Sequence, residues 1–126
     1  EYAIADTNEV QSVTTAAAGE CDVLYIPTDN TLASVTETVY NVVAPAKIPV
    51  IAGEEGICNG CGVATLSISY YDLGYATGEM AYEILAEGAD ITTMDVRYAP
   101  NVTKKYNAKI CEELGITVPD DYVAIQ

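Results

Sequence analysis

Apolar positions along this chain fall into short continuous runs that alternate with stretches of helical spacing. Tyr2–Ala5 predicts a short strand. Asn8–Ala18 predicts a helix with Val10, Val13 and Ala17 on one face and Gly19 at its end. The run Val23–Ile26 predicts a buried strand, closed by Pro27. Thr31–Ala44 carries Leu32, Val35, Val39, Val42 and Val43 at helical spacing, and Pro45 is expected to stop that helix. Ile48–Ala52 and Val63–Ile68 predict two more strands. Between them Gly53–Gly62, with its glycines and two cysteines, predicts a loop. Asp72 is the expected cap of a helix with Leu73, Ala76, Met80, Ala81, Ile84 and Leu85 inward and Gly88 at its close. Thr93–Tyr98 is a strand candidate. Asn101–Leu114 predicts a last helix with Val102, Tyr106, Ile110, Cys111 and Leu114 inward and Gly115 at its end. The tail, residues 116–126, holds a short strand candidate at Tyr122–Ile125.

Strands alternating with helices imply right-handed βαβ units and a mostly parallel sheet. The expected class is therefore α/β, a Rossmann-like three-layer αβα fold. No internal repeat, low-complexity tract or linker interrupts it. No segment stands out as the usual first, central strand of such a sheet.

Composition narrows the function. With 126 residues the chain fits one domain, and half its residues are apolar, so it is expected to fold around a core. Nineteen acids against five bases leave a net charge of −14, which argues against nucleic-acid and anionic-membrane partners. No apolar run approaches the roughly 18 residues of a membrane span. There is no histidine, which removes Ser-His-Asp and Cys-His catalysis and every His-ligated metal. All the aromatic residues are tyrosines, each an apolar face with a polar tip. The chain begins at Glu1 without Met, leader or lipid-attachment cysteine, as expected either of a processed or trimmed piece or of a sequence whose start is not shown.

Three predicted strand ends bring candidate chemistry together. Thr28, Asp29 and Asn30 follow the first buried strand. Glu54 and Glu55 follow Ile48–Ala52. Tyr70, Tyr71 and Asp72 follow Val63–Ile68. Ligands of open α/β sheets bind beyond the carboxyl ends of the strands, and helix N-termini there offer unpaired N–H groups. Such a rim suits a zwitterion: carboxylate to N–H groups and hydroxyls, ammonium to Asp or Glu, aromatic ring against tyrosine. The competing reading is that these residues are N-caps and solvated turns. Cys58-Asn-Gly-Cys61 raises a thiol or metal protein as the alternative. A second Cys pair is missing and the motif leads into a strand, so no metal is expected, while a disulfide within the loop suits an exported protein. Cys21 and Cys111 read as small buried residues. No glycine-rich phosphate loop follows the first strand, and no lysine is placed for a phosphoacceptor site.

Several blocks resemble one family. Asp22-Val-Leu-Tyr-Ile-Pro-Thr-Asp-Asn30, Lys47-Ile-Pro-Val-Ile51, Ser69-Tyr-Tyr-Asp-Leu-Gly74 with Gly78, and Leu114-Gly-Ile-Thr-Val-Pro119 are similar, in order and spacing, to ABC-transporter substrate-binding proteins of the tryptophan/tyrosine type. The resemblance implies the C-terminal lobe, incomplete, of a class I periplasmic-binding-protein fold, with 1–126 the C-terminal part of a two-lobe protein. Residues 1–70 would be the ligand-binding lobe, 71–100 a segment crossing to the other lobe, and 101–126 the C-terminal helix and tail. It implies a non-enzymatic receptor, extracytoplasmic in the periplasm or as a lipoprotein at the cell surface. That receptor would bind an amino acid, of the aromatic class, with no cofactor, and deliver it to an ABC permease. Thr28, Asp29 and Asn30 match the family's ligand-facing turn, Glu54 a polar position after the Ile-Pro-Val strand, and Tyr70, Tyr71 and Asp72 its crossover turn. Gly56–Cys61 departs from the family pattern. The first lobe would be a further partner. Without it the isolated chain is expected to leave a strand edge and the helix Asp72–Glu87 bare, and so to bind nothing, dimerise or exchange elements.

Overall fold

The hydrophobic stripes of the first half of the chain turn inward onto one face of a sheet in the computed structural model, which describes residues 1–126. Helix α1, Val10–Glu20, buries Val10, Thr14 and Ala17, spaced one turn apart. Strand β1, Leu24–Ile26, pairs in parallel with β2, Val50–Ala52, and β2 in parallel with β3, Ala64–Ile68. Between β1 and β2 lie α2, Asn30–Ala33, and α3, Thr36–Ala46. Helix α4, Glu55–Cys61, joins β2 to β3. Helix α5, Tyr70–Leu85, and a short 3-10 turn, Ile91–Thr93, precede β4, Val102–Tyr106. Helix α6, Ala108–Leu114, leads to β5, Val123–Ala124, which pairs in parallel with β4. The sheet runs β1-β2-β3-β4-β5. The α/β class and the mostly parallel sheet are thus as expected.

The core joins α1, α3 and α4 to the sheet through Val10, Ile26, Val39, Val43, Val50, Ala52, Ile57, Cys58 and Cys61. A smaller cluster of Val63, Ile110 and Cys111 seats α6. Burying one such Val or Ile stabilises the fold by roughly 1.5–3 kcal/mol. Each of the first three strands alternates buried and more exposed positions, and Tyr25, Ile51 and Leu66 stand on the face opposite the core.

Contact clustering divides the chain into two units: Glu1–Ser67 with Thr103–Gln126, and Ile68–Val102. In the second unit α5 buries no residue. Leu73, Ala76, Met80 and Ile84 are half-buried, whereas Ala81 and Leu85 are exposed rather than inward. So short a segment cannot enclose a core of its own. Arg97 Nη2 donates to both oxygens of Glu83, at 2.7 and 2.6 Å, and so ties residues after the 3-10 turn to α5.

Several boundaries differ from the pattern reading, each for a physical reason. Tyr2–Ala5 forms no strand; Ile4 instead packs on the core. Thr93–Tyr98 forms no strand either, and Val96 and Tyr98 are exposed. The helix expected over Thr31–Ala44 breaks at Ser34 and Val35. Ser34 Oγ donates to Thr31 O at 2.7 Å, and Val35 is non-helical at φ −135°, ψ 31°. Pro45 does not stop α3, which ends at Lys47 in the left-handed region (φ 56°), with Ile48 N donating back to Val43 O. Gly53–Gly62 is largely helix, not loop. Glu54 caps α4, and Ile57, Cys58 and Cys61 form its buried stripe. A Cβ on Gly60 would lie 2.1 Å from Thr36 Oγ1, so this glycine serves close packing on α3. Asn101–Leu114 is not one helix. Asn107 separates β4 from α6, its Oδ1 accepting from Ile110 N at 3.2 Å and its Nδ2 donating to Cys58 O and Asn59 O.

These burials set expected stabilities. Val39→Ala and Ile57→Ala, at sites 1% and 0% exposed, are expected to cost about 2–4 kcal/mol in urea unfolding. Leu85→Ala, 86% exposed, is expected to stay within about 0.5 kcal/mol. Equal losses at all three would place Leu85 in a packed interior.

Candidate functional site

The turns after β1 and β2 touch. Gly53 N donates to Ile26 O at 2.7 Å, and Thr28 Oγ1 donates to Gly53 O at 3.2 Å. A Cβ on Gly53 would meet Thr28 N at 2.6 Å and Pro27 C at 2.9 Å, so only glycine permits this approach. The parallel register Ile26↔Ala52 sets both turns at the same sheet edge. Thr28, Asp29, Asn30 and Glu54 are therefore brought together as expected, at the carboxyl ends of adjacent strands.

Asp29 and Glu54 are also helix caps. Asp29 Oδ1 accepts from Leu32 N at 2.8 Å and starts α2. Glu54 accepts from Gly56 N at 2.7 Å and from Ile57 N, and starts α4. The capping reading and the ligand reading thus fall on the same carboxylates. Neither forms an ion pair, so the rim keeps negative charge that a cationic group can meet.

Tyr70, Tyr71 and Asp72 lie in the second unit, on the first turn of α5. The tyrosines are 60% and 79% exposed. Asp72 is not the cap: Ser69 Oγ accepts from Asp72 N at 3.1 Å, and Asp72 Oδ2 accepts from Asn101 Nδ2 at 3.4 Å. A groove of about 450 Å³ in this unit is lined by Asp72, Tyr75, Glu79, Arg97, Tyr98 and Asn101. A second groove of about 530 Å³ follows the outer edge of β1, lined by apolar residues such as Val13, Leu24 and Leu32 and reaching Asp29.

Residue reading alone did not single out the partners of Glu55. Its Oε2 accepts from Ser67 Oγ at 2.9 Å and from Lys105 Nζ at 2.7 Å. The Lys105 bond, then the Ser67 bond, hold the Glu55 carboxyl below its usual range. Thr65, two residues before Ser67 on the same face of β3, is buried with its hydroxyl unpartnered. Lys105 lies in a segment whose spacing suggests a helix but which forms β4, so the sequence pattern does not point to it.

Cys58 and Cys61 are neither looped nor bridged. Both are free thiols inside α4, packed in the core. Burial pushes each thiol up to about 12, the opposite of a reactive or metal-binding thiolate. Cys111 is buried and Cys21 half-buried, both free.

Polar turns and helix starts at the carboxyl edge of a parallel sheet are the arrangement at which open α/β sheets bind ligands. Comparison with known proteins names the kind: the chain belongs to the ABC transporter substrate binding protein family, whose model matches residues 1–125. It is 40% identical over 100 residues to a tyrosine-binding protein of Clostridioides difficile (strain R20291), a match covering 75% of this chain and 29% of that protein. Among solved structures, an ABC domain from Streptococcus pneumonia in complex with L-Trp is 31% identical with a TM-score of 0.83, over 99% of this chain and 44% of that one. The ligand-free, open structure of a Clostridium difficile substrate binding protein with adhesive properties is 37% identical, TM-score 0.71, over 98% and 43%. The chain therefore spans less than half the length of these relatives.

Two outcomes test the site's construction. Gly53→Ala is expected to displace the Thr28 turn and cost about 1–3 kcal/mol of stability; an unchanged urea midpoint would show that the turn yields freely. The Glu55 carboxyl titrates lower in the folded than in the unfolded chain. Its contribution is therefore complete above the ordinary carboxylate range and lost as pH falls through the lowered value. Glu55→Gln should flatten the decline of stability between about pH 5 and pH 3, measured by urea unfolding at each pH.

Proposed function

We propose that this chain is the C-terminal part of an extracytoplasmic, non-enzymatic receptor of an ABC importer, binding an amino acid, and an aromatic one, in the cleft between two lobes. The observation that carries the reading is the pair of adjoining turns at the ends of β1 and β2, which present Asp29 and Glu54 without a cation. The ligand's ammonium would be met by Asp29, with Thr28, Asn30 and Glu54 beside it. Its carboxylate would take hydroxyl and N–H donors, and its ring would suit tyrosine; Tyr70, Tyr71 and Asp72 are further candidate contacts of the complete receptor by the family resemblance. The named ligands of the relatives, tyrosine and L-Trp, support the aromatic class. The receptor would be periplasmic or lipid-anchored. Residues 71–100 would cross to the preceding lobe, and a permease would accept the ligand. The isolated chain would bind weakly or not at all, and would associate with another copy. Nothing in the thiol geometry favours the alternative based on Cys58 and Cys61.

Calorimetry of the full-length receptor with L-tyrosine and L-tryptophan tests this, alongside mass spectrometry of small molecules released from it. Asp29→Ala would remove charge and cap together, whereas Asp29→Asn keeps a capping oxygen and removes only the charge. Asp29→Asn is expected to weaken binding by about 2–4 kcal/mol with stability almost unchanged. Full affinity in that variant would take Asp29 out of the site, and absence of any amino acid would sink the receptor reading.

A further inference from the structure

The chain leaves the first unit through β3 and returns through β4, with Ile68–Val102 between them. Ser67 is the last residue before the exit, and Lys105 lies in the return strand, one residue before its end at Tyr106. Both bind one atom, Glu55 Oε2, and Glu55 belongs to a third element, the first turn of α4. We infer that Glu55 is a positioning residue that clamps the exit strand β3 to the return strand β4.

Four features make the clamp more than a surface ion pair. Its partners lie on neighbouring strands of one sheet, so a single carboxylate spans that junction. The ion pair is half-buried, with side-chain exposures of 28% and 39%, which reduces screening by salt. Lys104, the adjacent cation, is engaged by Asp121, which leaves Lys105 to Glu55 alone. Glu55 itself is held in place because Glu54 caps the helix on which both stand. The purpose of the clamp rests on the receptor reading. In a protein that changes shape around a ligand, strain from movement of Ile68–Val102 is taken up in the two strands that connect it. A carboxylate bridging them sets how readily those strands loosen.

Hydrogen–deuterium exchange on the full-length, ligand-free protein tests the clamp without relying on ligand binding. Glu55→Gln and Lys105→Met are each expected to speed exchange at Leu66–Ser69 and Val102–Lys105 by about tenfold, with α1 and β1 unchanged. Combining Glu55→Lys with Lys105→Glu is expected to restore protection. Ser67→Ala, which removes one arm, should loosen β3 selectively and serves if the charge variants fail to fold. Unchanged exchange, a uniform rise that includes α1, or no restoration by the charge reversal would overturn the inference. Local loosening in a protein that binds no amino acid would support the clamp and remove only the receptor reading.

Discussion

The close approach of Gly53 to the Thr28 turn is the constraint on which the candidate site depends. Parallel pairing of β1 with β2 sets two strand ends level, but level ends do not by themselves bring their turns into contact. The missing side chain at Gly53 lets its backbone sit against Pro27 and Thr28, closer than any Cβ allows. The hydrogen bonds Gly53 N to Ile26 O and Thr28 Oγ1 to Gly53 O then fix the two turns as one rim. Behind the rim, Val50 and Ile57 hold β2 and α4 to the core, so the turn geometry inherits the rigidity of the packed interior.

The carboxylates on that rim serve the fold before they serve any ligand. Asp29 and Glu54 each satisfy backbone N–H groups that a helix start would otherwise leave unpaired. Residue types alone cannot separate a cap from a ligand contact, because both uses want an acceptor at a helix start. Asp29 caps through Oδ1 alone, which leaves Oδ2 outside the cap, whereas both Glu54 oxygens accept backbone N–H groups. One side chain can therefore orient the turn and present charge at the same time.

Legibility in the sequence followed the physics of each segment. The strands Val23–Ile26, Ile48–Ala52 and Val63–Ile68 were readable because apolar runs bounded by Pro or Gly have few other uses. Val10, Ala17, Val39 and Val43 were readable as core from their spacing, and all are buried. The loop reading of Gly53–Gly62 failed because glycine there reports contact, not freedom: Gly60 lies against Thr36, and Gly62 backs onto Cys58. Asn101–Leu114 misled because Val102, Tyr106 and Ile110 are four apart by coincidence. The capping residue Asn107 was the overlooked signal. Leu85 was misplaced because helical spacing shows that a face exists, not what covers it. The turns holding Thr28, Asp29, Asn30 and Glu54 were legible; the partners of Glu55 required the fold.

The partners of Glu55 lie outside any local pattern for a general reason. Ser67 and Lys105 are 38 residues apart in sequence, on two strands, and both meet a carboxylate on the helix α4. Local pattern carries strands, caps and turns, since each is decided within a few residues. A contact that joins the exit from a unit to the return into it is decided by topology, and no window along the chain contains it. In this chain Glu55 follows Glu54 directly, yet the two do different work. Glu54 closes a local ring on its own helix, while Glu55 spans two strands that the intervening segment separates. Adjacent acids in a net acidic chain look interchangeable by composition; what distinguishes them is whether their acceptor oxygens are satisfied from nearby or from across the fold.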